Sequence, residues 1–119
     1  ADGRGLSQFT AKGWCQMSQT GTQGIRDSHN VSSISDGGVG WTTVTWDVDM
    51  ASANYALNVS IGYSHASHND DHIIAVKERV DSSYRAAGSC RVLVNMNHNG
   101  GSVTDNLDAE DLNFVAFGD

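Results

Sequence analysis

The chain has 119 residues, a formal net charge of −7, 39% hydrophobic residues and no proline. A domain of this length buries about two-thirds of the surface of its unfolded chain, so it needs no metal or disulfide to fold. The negative charge disfavours nucleic acid and anionic membranes as partners, because the seven Lys and Arg residues are scattered along the sequence. No segment approaches the roughly 18 apolar residues of a membrane span. Proteins, sugars and cations remain as partner classes.

Patterns typical of β-strands dominate the first half of the chain. Residues 9–18 and 41–50, WTTVTWDVDM, carry apolar side chains at alternate positions, and residues 25–35 offer Ile25, Val31 and Ile34 as candidate core residues. Alternation of this kind predicts strands with one buried and one exposed face. The segment 25–35 fits either one strand or two. The side chains expected on the buried faces are Ala11, Gly13, Cys15, Met17, Ile25, Val31, Ile34, Val44, Trp46, Val48 and Met50.

The second half of the chain continues the same pattern. The most regular alternation is at residues 55–64, where the side chains expected inward are Tyr55, Leu57, Val59, Ile61 and Tyr63. Further strands are predicted at residues 73–80, 90–98 and 112–118. These segments amount to about seven or eight strands. We therefore predict one all-β domain over residues 1–119, a jelly-roll-like antiparallel β-sandwich, with residues 1–8 as a candidate N-terminal attachment segment.

A glycine-rich turn interrupts the first half. The sequence DGGVG contains Gly37, Gly38 and Gly40, which we expect to adopt positive φ angles and to set the turn. Arg26 and Asp27 precede it and are predicted to brace it through an ion pair or backbone hydrogen bonds. This group of five residues is interpreted as scaffold.

The segment SHASHNDDH is the densest cluster of candidate metal ligands. Its imidazoles and carboxylates suit a divalent transition metal. Their spacing matches no known zinc motif, so a solvated hairpin loop is the favoured interpretation. The alternative is a threefold assembly in which one His from each chain meets at the axis. The candidate ligands are His65, His68, Asp70, Asp71 and His72.

Two other carboxylate groups favour surface roles. Asp47 and Asp49, on one strand, would project from the same face about 6.5–7 Å apart, near the separation of an inverting glycosidase. They would lie on the solvated face, with nothing to raise either pKa, so no enzymatic activity is expected. The second group suits calcium chemically but lacks the spacing of an EF-hand loop. It consists of Asp105, Asp108, Glu110 and Asp111.

Three aromatic residues form a candidate binding surface. Trp14 is opposite in phase to Cys15, Trp41 follows the glycine-rich turn, and Tyr84 lies in a predicted loop. The favoured alternative is that these rings pack against neighbours or against partner subunits. Cys15 and Cys90 fit either one disulfide or, as the favoured interpretation, two small buried hydrophobic residues.

Four segments resemble a module of tailed-bacteriophage virion proteins, found above all in the carboxy-terminal parts of tail fibres. They are AKGWCQM, IRDSHNVSSISDGGVG, WTTVTWDVDM and MASANYAL, in this order. The resemblance covers residues 9–64 well and the rest loosely. It implies a non-enzymatic domain at the virion surface, without a cofactor, that forms a homotrimer, contacts other virion proteins and binds a host-surface glycan or protein.

Three functions follow as hypotheses. The first is the distal, host-binding domain of a trimeric tail fibre. The second is a capsid decoration or head-fibre protein, which the sequence does not separate from the first. The third is a carbohydrate-binding module, which predicts a monomer with a planar aromatic strip and bound calcium.

Overall fold

The computed structural model describes residues 10–62, 73–81, 84–97 and 104–118, and in them the chain forms β-strands and no helix. No helix capable of crossing a membrane is therefore found among these residues. Eight strands have six residues or more, and one has three. The strands are β1 (Gly13–Ser18), β2 (Gly24–His29), β3 (Val31–Asp36), β4 (Trp41–Trp46), β5 (Ala56–Gly62), β6 (Ile73–Arg79), β7 (Ser89–Asn97), β8 (Thr104–Asn106) and β9 (Asp111–Phe117).

The strands form two antiparallel sheets. The first sheet has the order β2-β1-β9-β5, and the second has the order β3-β4-β7-β6. The short β8 pairs with β7 beyond the part of β7 that pairs with β4. Side chains of both sheets join one hydrophobic core, so the predicted all-β antiparallel sandwich is confirmed.

The core lies between the sheets and follows from the period of two along each strand. Inward positions of β1, β4, β7 and β9 are almost inaccessible to solvent, and each large side chain buried there stabilises the fold by roughly 1.5–3 kcal/mol. Of the predicted core, Leu57, Val59 and Ile61 on β5 are half-buried and pack against it, as alternation predicted. The central residues are Cys15, Met17, Val44, Trp46, Val92, Val94, Leu112, Phe114 and Ala116.

The fourth strand ends earlier than the sequence pattern predicts. β4 stops at Trp46, and Val48, expected in the core, is 42% exposed. The cause is Asn30, which adopts a φ of 58° and accepts hydrogen bonds from Asp47 N (3.0 Å, to the backbone oxygen) and Val48 N (2.7 Å, to Oδ1). These bonds draw the chain away from the sheet. Asp47 and Asp49 therefore do not form the same-face strand pair that was predicted.

The expected burial of Ile25 is also wrong. Ile25 is 38% exposed, because β2 is an edge strand that has only β1 beside it. A register irregularity between Gln16 and Met17 further disturbs this pairing. Val31 and Ile34, the other two residues predicted in this segment's core, are half-buried and pack against the core. They lie on the separate strand β3, so the segment contains two strands.

The glycine-rich turn has positive φ angles at Gly38 (116°) and Gly40 (79°), as predicted, but not at Gly37. Gly37 is instead constrained by space, because a Cβ there would overlap Nη2 of Arg91. Asp36 accepts a hydrogen bond from Gly38 N at 2.9 Å. The conformation of the turn is thus set by its own backbone, and the side chain of Arg91 packs against it.

The two residues expected to brace this turn have other contacts. Arg26 forms an ion pair with Asp111 and donates to the backbone oxygen of Glu110 at 2.9 Å. Asp27 accepts a hydrogen bond from the backbone N of Ser28. Arg26 therefore ties the edge strand β2 to the start of β9, and the prediction that it braces the turn is corrected.

Candidate functional site

The outer face of the first sheet carries a shallow groove, which we call the Trp14 groove. Strand register places Trp14 beside Val115 of β9, and Val115 beside Asn58 of β5. The next row across the same strands joins Gln16, Asn113 and Ser60. These six residues define the groove. With β2 included, the face spans roughly 14 Å, three interstrand steps of about 4.8 Å.

The groove combines one exposed aromatic ring with neutral hydrogen-bonding groups. Trp14 is 36% exposed, and the space in front of the strands has a volume of about 400 Å³. Among the described residues, the side chains of Asn58, Ser60 and Asn113 have no hydrogen-bond partner. Amides and hydroxyls both donate and accept hydrogen bonds. This lining therefore suits a ligand with hydroxyl groups and an apolar face.

Two central strands hold the groove rigidly. β1 and β9 are each hydrogen-bonded to a strand on both sides, and rigid elements position a binding group better than loops do. Gly13 precedes Trp14 and has no side chain because a Cβ would lie 2.7 Å from the ring of Trp46. The core tryptophan therefore supports the segment that presents the surface tryptophan.

Cys15 and Cys90 are both free and buried. They lie on β1 and β7, in different sheets. Burial raises the pKa of the Cys15 thiol to about 11 and that of Cys90 to about 12. Neither thiol is therefore a nucleophile at neutral pH. The interpretation as two small hydrophobic core residues is the one that the structure supports.

The other two candidate aromatic residues lie on the second sheet, away from Trp14. Trp41 and Tyr84 flank the guanidinium of Arg91, whose Cζ lies 4.7 Å and 4.9 Å from the respective ring centroids. Arg91 is not among the binding residues predicted from the sequence. Its position between the buried residues Cys90 and Val92 was a signal that it points outward.

The candidate metal ligands His65, His68, Asp70, Asp71 and His72 lie outside the described residues. The side chain of Asp105 is outside them as well.

Two members of the proposed calcium group are engaged elsewhere. Asp108 accepts a hydrogen bond from Gly40 N at 2.8 Å, and Asp111 pairs with Arg26 and accepts from Gln16 Nε2. Within the part of the chain that the structure describes, no group of three or more His, Cys, Asp or Glu side chains has the arrangement of a metal site.

Comparison with known proteins adds nothing to this geometry, because no family model, curated protein or solved structure matches the chain. The candidate binding sites are therefore taken from the two outer faces of the sandwich. The Trp14 groove has a volume of about 400 Å³, and the cavity beside Trp41 on the second sheet has about 180 Å³.

Proposed function

We propose that this chain is a non-enzymatic recognition domain that binds a neutral host-surface glycan in the Trp14 groove, as the distal domain of a bacteriophage tail fibre. The observation that carries the proposal is an exposed Trp14 on a rigid strand, beside the side chains of Asn58, Ser60 and Asn113, which have no hydrogen-bond partner among the described residues. The phage origin is supported by the resemblance of residues 9–64 to virion proteins.

The chemistry of the groove matches the two-sided nature of a sugar. A pyranose presents C–H groups on one face, which pack on an indole ring, and hydroxyl groups around its edge. Asn58 and Asn113 each offer two donors and an acceptor to such hydroxyls. The groove is open rather than enclosed, so it can accept an internal unit of a polysaccharide chain as well as an end.

A shallow groove of this kind is expected to bind weakly by itself. A homotrimer would place three copies on one particle and raise the effective affinity through multivalent attachment. The proposed assembly therefore fits the proposed ligand, and it also provides the surfaces that would contact other virion proteins.

The test is an array of neutral bacterial surface polysaccharides, followed by NMR titration with the glycan that binds. We expect chemical shift changes at the Trp14 indole and the amides of Asn58 and Asn113. Trp14→Ala should weaken binding about tenfold or more, since the loss of roughly 1.5–3 kcal/mol of aromatic burial is involved. Trp41→Ala, on the opposite sheet, is the matched control and should leave the affinity unchanged.

Two results would contradict the proposal: no neutral glycan on the array binds the protein, or Trp14→Ala and Trp41→Ala have equal effects. Light scattering of the same preparation tests the assembly, with three times 12.7 kDa expected. A monomer that binds glycan would favour the carbohydrate-binding module over the fibre. A trimer that dissociates in EDTA would assign a metal to the assembly.

A further inference from the structure

We infer that the outer face of the second sheet is a separate binding site for an acidic sugar. The site, which we call the Arg91 patch, consists of Trp41, Lys77, Arg79, Tyr84 and Arg91. It shares no residue with the Trp14 groove. The two sites can therefore be tested separately, and failure of one proposal does not affect the other.

Strand register brings the patch together from three strands. Trp41 of β4 lies beside Leu93 of β7, which lies beside Lys77 of β6. Two residues further along the strands, in the next row of side chains that face outward, Arg91 lies beside Arg79. A cavity of about 180 Å³ over this area is lined by Trp41, Lys77, Glu78, Arg79 and Leu93, and Arg91 lies in the row beside it. The face thus offers an apolar floor with cations at its border.

Arg91 is held in place but has no anionic partner. Its Nε is buried and makes no hydrogen bond, so this atom is not a donor to an external ligand, and no ion pair to Arg91 occurs among the described residues. Each of the other three arginines among the described residues pairs with a carboxylate: Arg26 with Asp111, Arg79 with Asp81 and Arg85 with Glu78. A positioned guanidinium without a carboxylate, in a chain of net charge −7, is the arrangement expected where an external anion binds.

The surrounding structure is shaped to keep Arg91 in this position. Its guanidinium lies between the rings of Trp41 and Tyr84. A side chain at Gly37 would occupy the space that Nη2 requires. Tyr84 also contacts Arg79, whose Cζ lies 4.5 Å from the ring centroid. Two rings and a glycine therefore fix the orientation of the donor before any ligand arrives.

The charge balance of the patch is positive. Three of the chain's seven cations meet here, so the expectation that Lys and Arg are scattered does not hold in three dimensions. Asp81 offsets Arg79 in part. Glu78 alternates with Lys77 and Arg79 on β6, and its carboxylate pairs with Arg85. Arg91 and Lys77 therefore carry the net charge that a ligand would meet.

The geometry favours an acidic sugar over nucleic acid. The guanidinium fork matches a carboxylate or sulfate, and Trp41 and Leu93 offer the apolar surface on which a sugar ring packs. Double-stranded DNA carries one charge per roughly 1.7 Å, which a chain of net charge −7 repels strongly. A polysaccharide with one anionic group per sugar unit has a much lower charge density.

The test is calorimetric titration of the whole chain with hexagalacturonate, with its fully methyl-esterified form and with a sulfated chondroitin hexasaccharide. Binding of at least one acidic probe is expected, weakening as salt rises. The esterified form, in which each carboxylate is replaced by an uncharged methyl ester, should bind about tenfold more weakly or worse. Lys77→Ala and Arg91→Gln should each reduce the affinity by a similar factor, with folding verified by thermal melting.

Two variants serve as controls. Arg26→Gln removes one exposed cation from the other sheet, and Trp14→Ala removes the ring of the groove; both should leave the affinity unchanged. Should Arg91→Gln fail to fold, the exposed Lys77→Ala decides the matter. The inference is overturned if neither acidic probe binds, if the ester binds the Trp14→Ala variant as well as the acid does, or if Arg26→Gln weakens binding as much as Lys77→Ala. It is also overturned if a 12-base oligonucleotide binds the patch more tightly than either saccharide.

Discussion

The two outer faces of the sandwich are built on the same strand geometry and have opposite chemistry. On the first sheet, the aromatic ring of Trp14 is exposed and its neighbours on β9 and β5 are uncharged, while β2 adds His29 beside Trp14 and Asp27 beside Gln16. On the second sheet, the aromatic rings of Trp41 and Tyr84 are already engaged with a guanidinium. In the first case the ring itself is available to a ligand. In the second case the rings position a charge. An exposed aromatic residue on a sheet therefore has to be judged by what touches its ring.

The largest effect is expected from a substitution in the core, because both faces depend on the same core for their structure. Trp46 is 2% exposed, lies edge-on to Tyr55 at 6.2 Å and donates a hydrogen bond to its hydroxyl. Trp46→Ala should cost about 3–5 kcal/mol of unfolding free energy and abolish binding at both faces. Urea denaturation measures the loss. Trp14→Ala is the control; since its ring is 36% exposed, it should cost about 1–2 kcal/mol, clearly less than Trp46→Ala, and equal losses would mean that Trp14 is a core residue.

An intermediate effect should separate the two faces. Gly37→Ala places a methyl group against Nη2 of Arg91, which must move away from Trp41. Because Gly37 is exposed and Arg91 is flexible, we expect a loss of unfolding free energy of no more than about 0.5–1 kcal/mol, with a change in Trp41 fluorescence and weaker binding at the Arg91 patch. Binding at the Trp14 groove should be unaffected, and Gly24→Ala, with only one atom near its Cβ position, is a matched control. Unchanged binding at the Arg91 patch would show that the guanidinium can accommodate a methyl group at residue 37.

An effect that is seen only at alkaline pH concerns the thiols behind the two faces. Burial raises the pKa of Cys15 to about 11 and of Cys90 to about 12, above the ordinary value of about 8.5. The folded state therefore holds these protons more tightly than the unfolded state. Stability from this source is complete below about pH 8.5 and declines as the pH rises towards the folded values.

Urea unfolding between pH 8 and pH 10 measures that decline. Cys90→Ala should show a smaller decline than the unchanged chain, and both thiols should resist alkylation at pH 8 until urea is added. Rapid alkylation of either thiol in the folded protein would contradict the burial on which this prediction depends.

The sequence predicted what depends on neighbours along the chain. The alternation of apolar residues located the core positions of β1, β4 and β5, and the phase of Trp14 against Cys15 placed its ring on the outer face. The alternation pattern gave a wrong strand end where a residue elsewhere in the chain determines the backbone path. β4 ends at Trp46 because Asn30, in the connection between β2 and β3, accepts hydrogen bonds from the backbone N–H groups of Asp47 and Val48.

The binding surfaces were predicted only in part for the same reason. The neighbours of Trp14 in the groove come from β5 and β9, and their registers are set by pairing between remote segments. Likewise, nothing in the local sequence brings Lys77, Arg79 and Arg91 to one face. The predicted trio of Trp14, Trp41 and Tyr84 mixed two surfaces, since phase along a strand does not identify the sheet to which the strand belongs.

The position of β9 between β1 and β5 has a consequence for how the domain is made. During synthesis β1 and β5 emerge early, but neither can pair with its central neighbour until residues 111–117 have been translated. Contacts between segments so far apart form slowly and leave strand edges open in the meantime. The Trp14 groove, whose middle row is supplied by β9, is therefore among the last features of the domain to be completed. A nascent chain should have no affinity for glycan before that strand is in place.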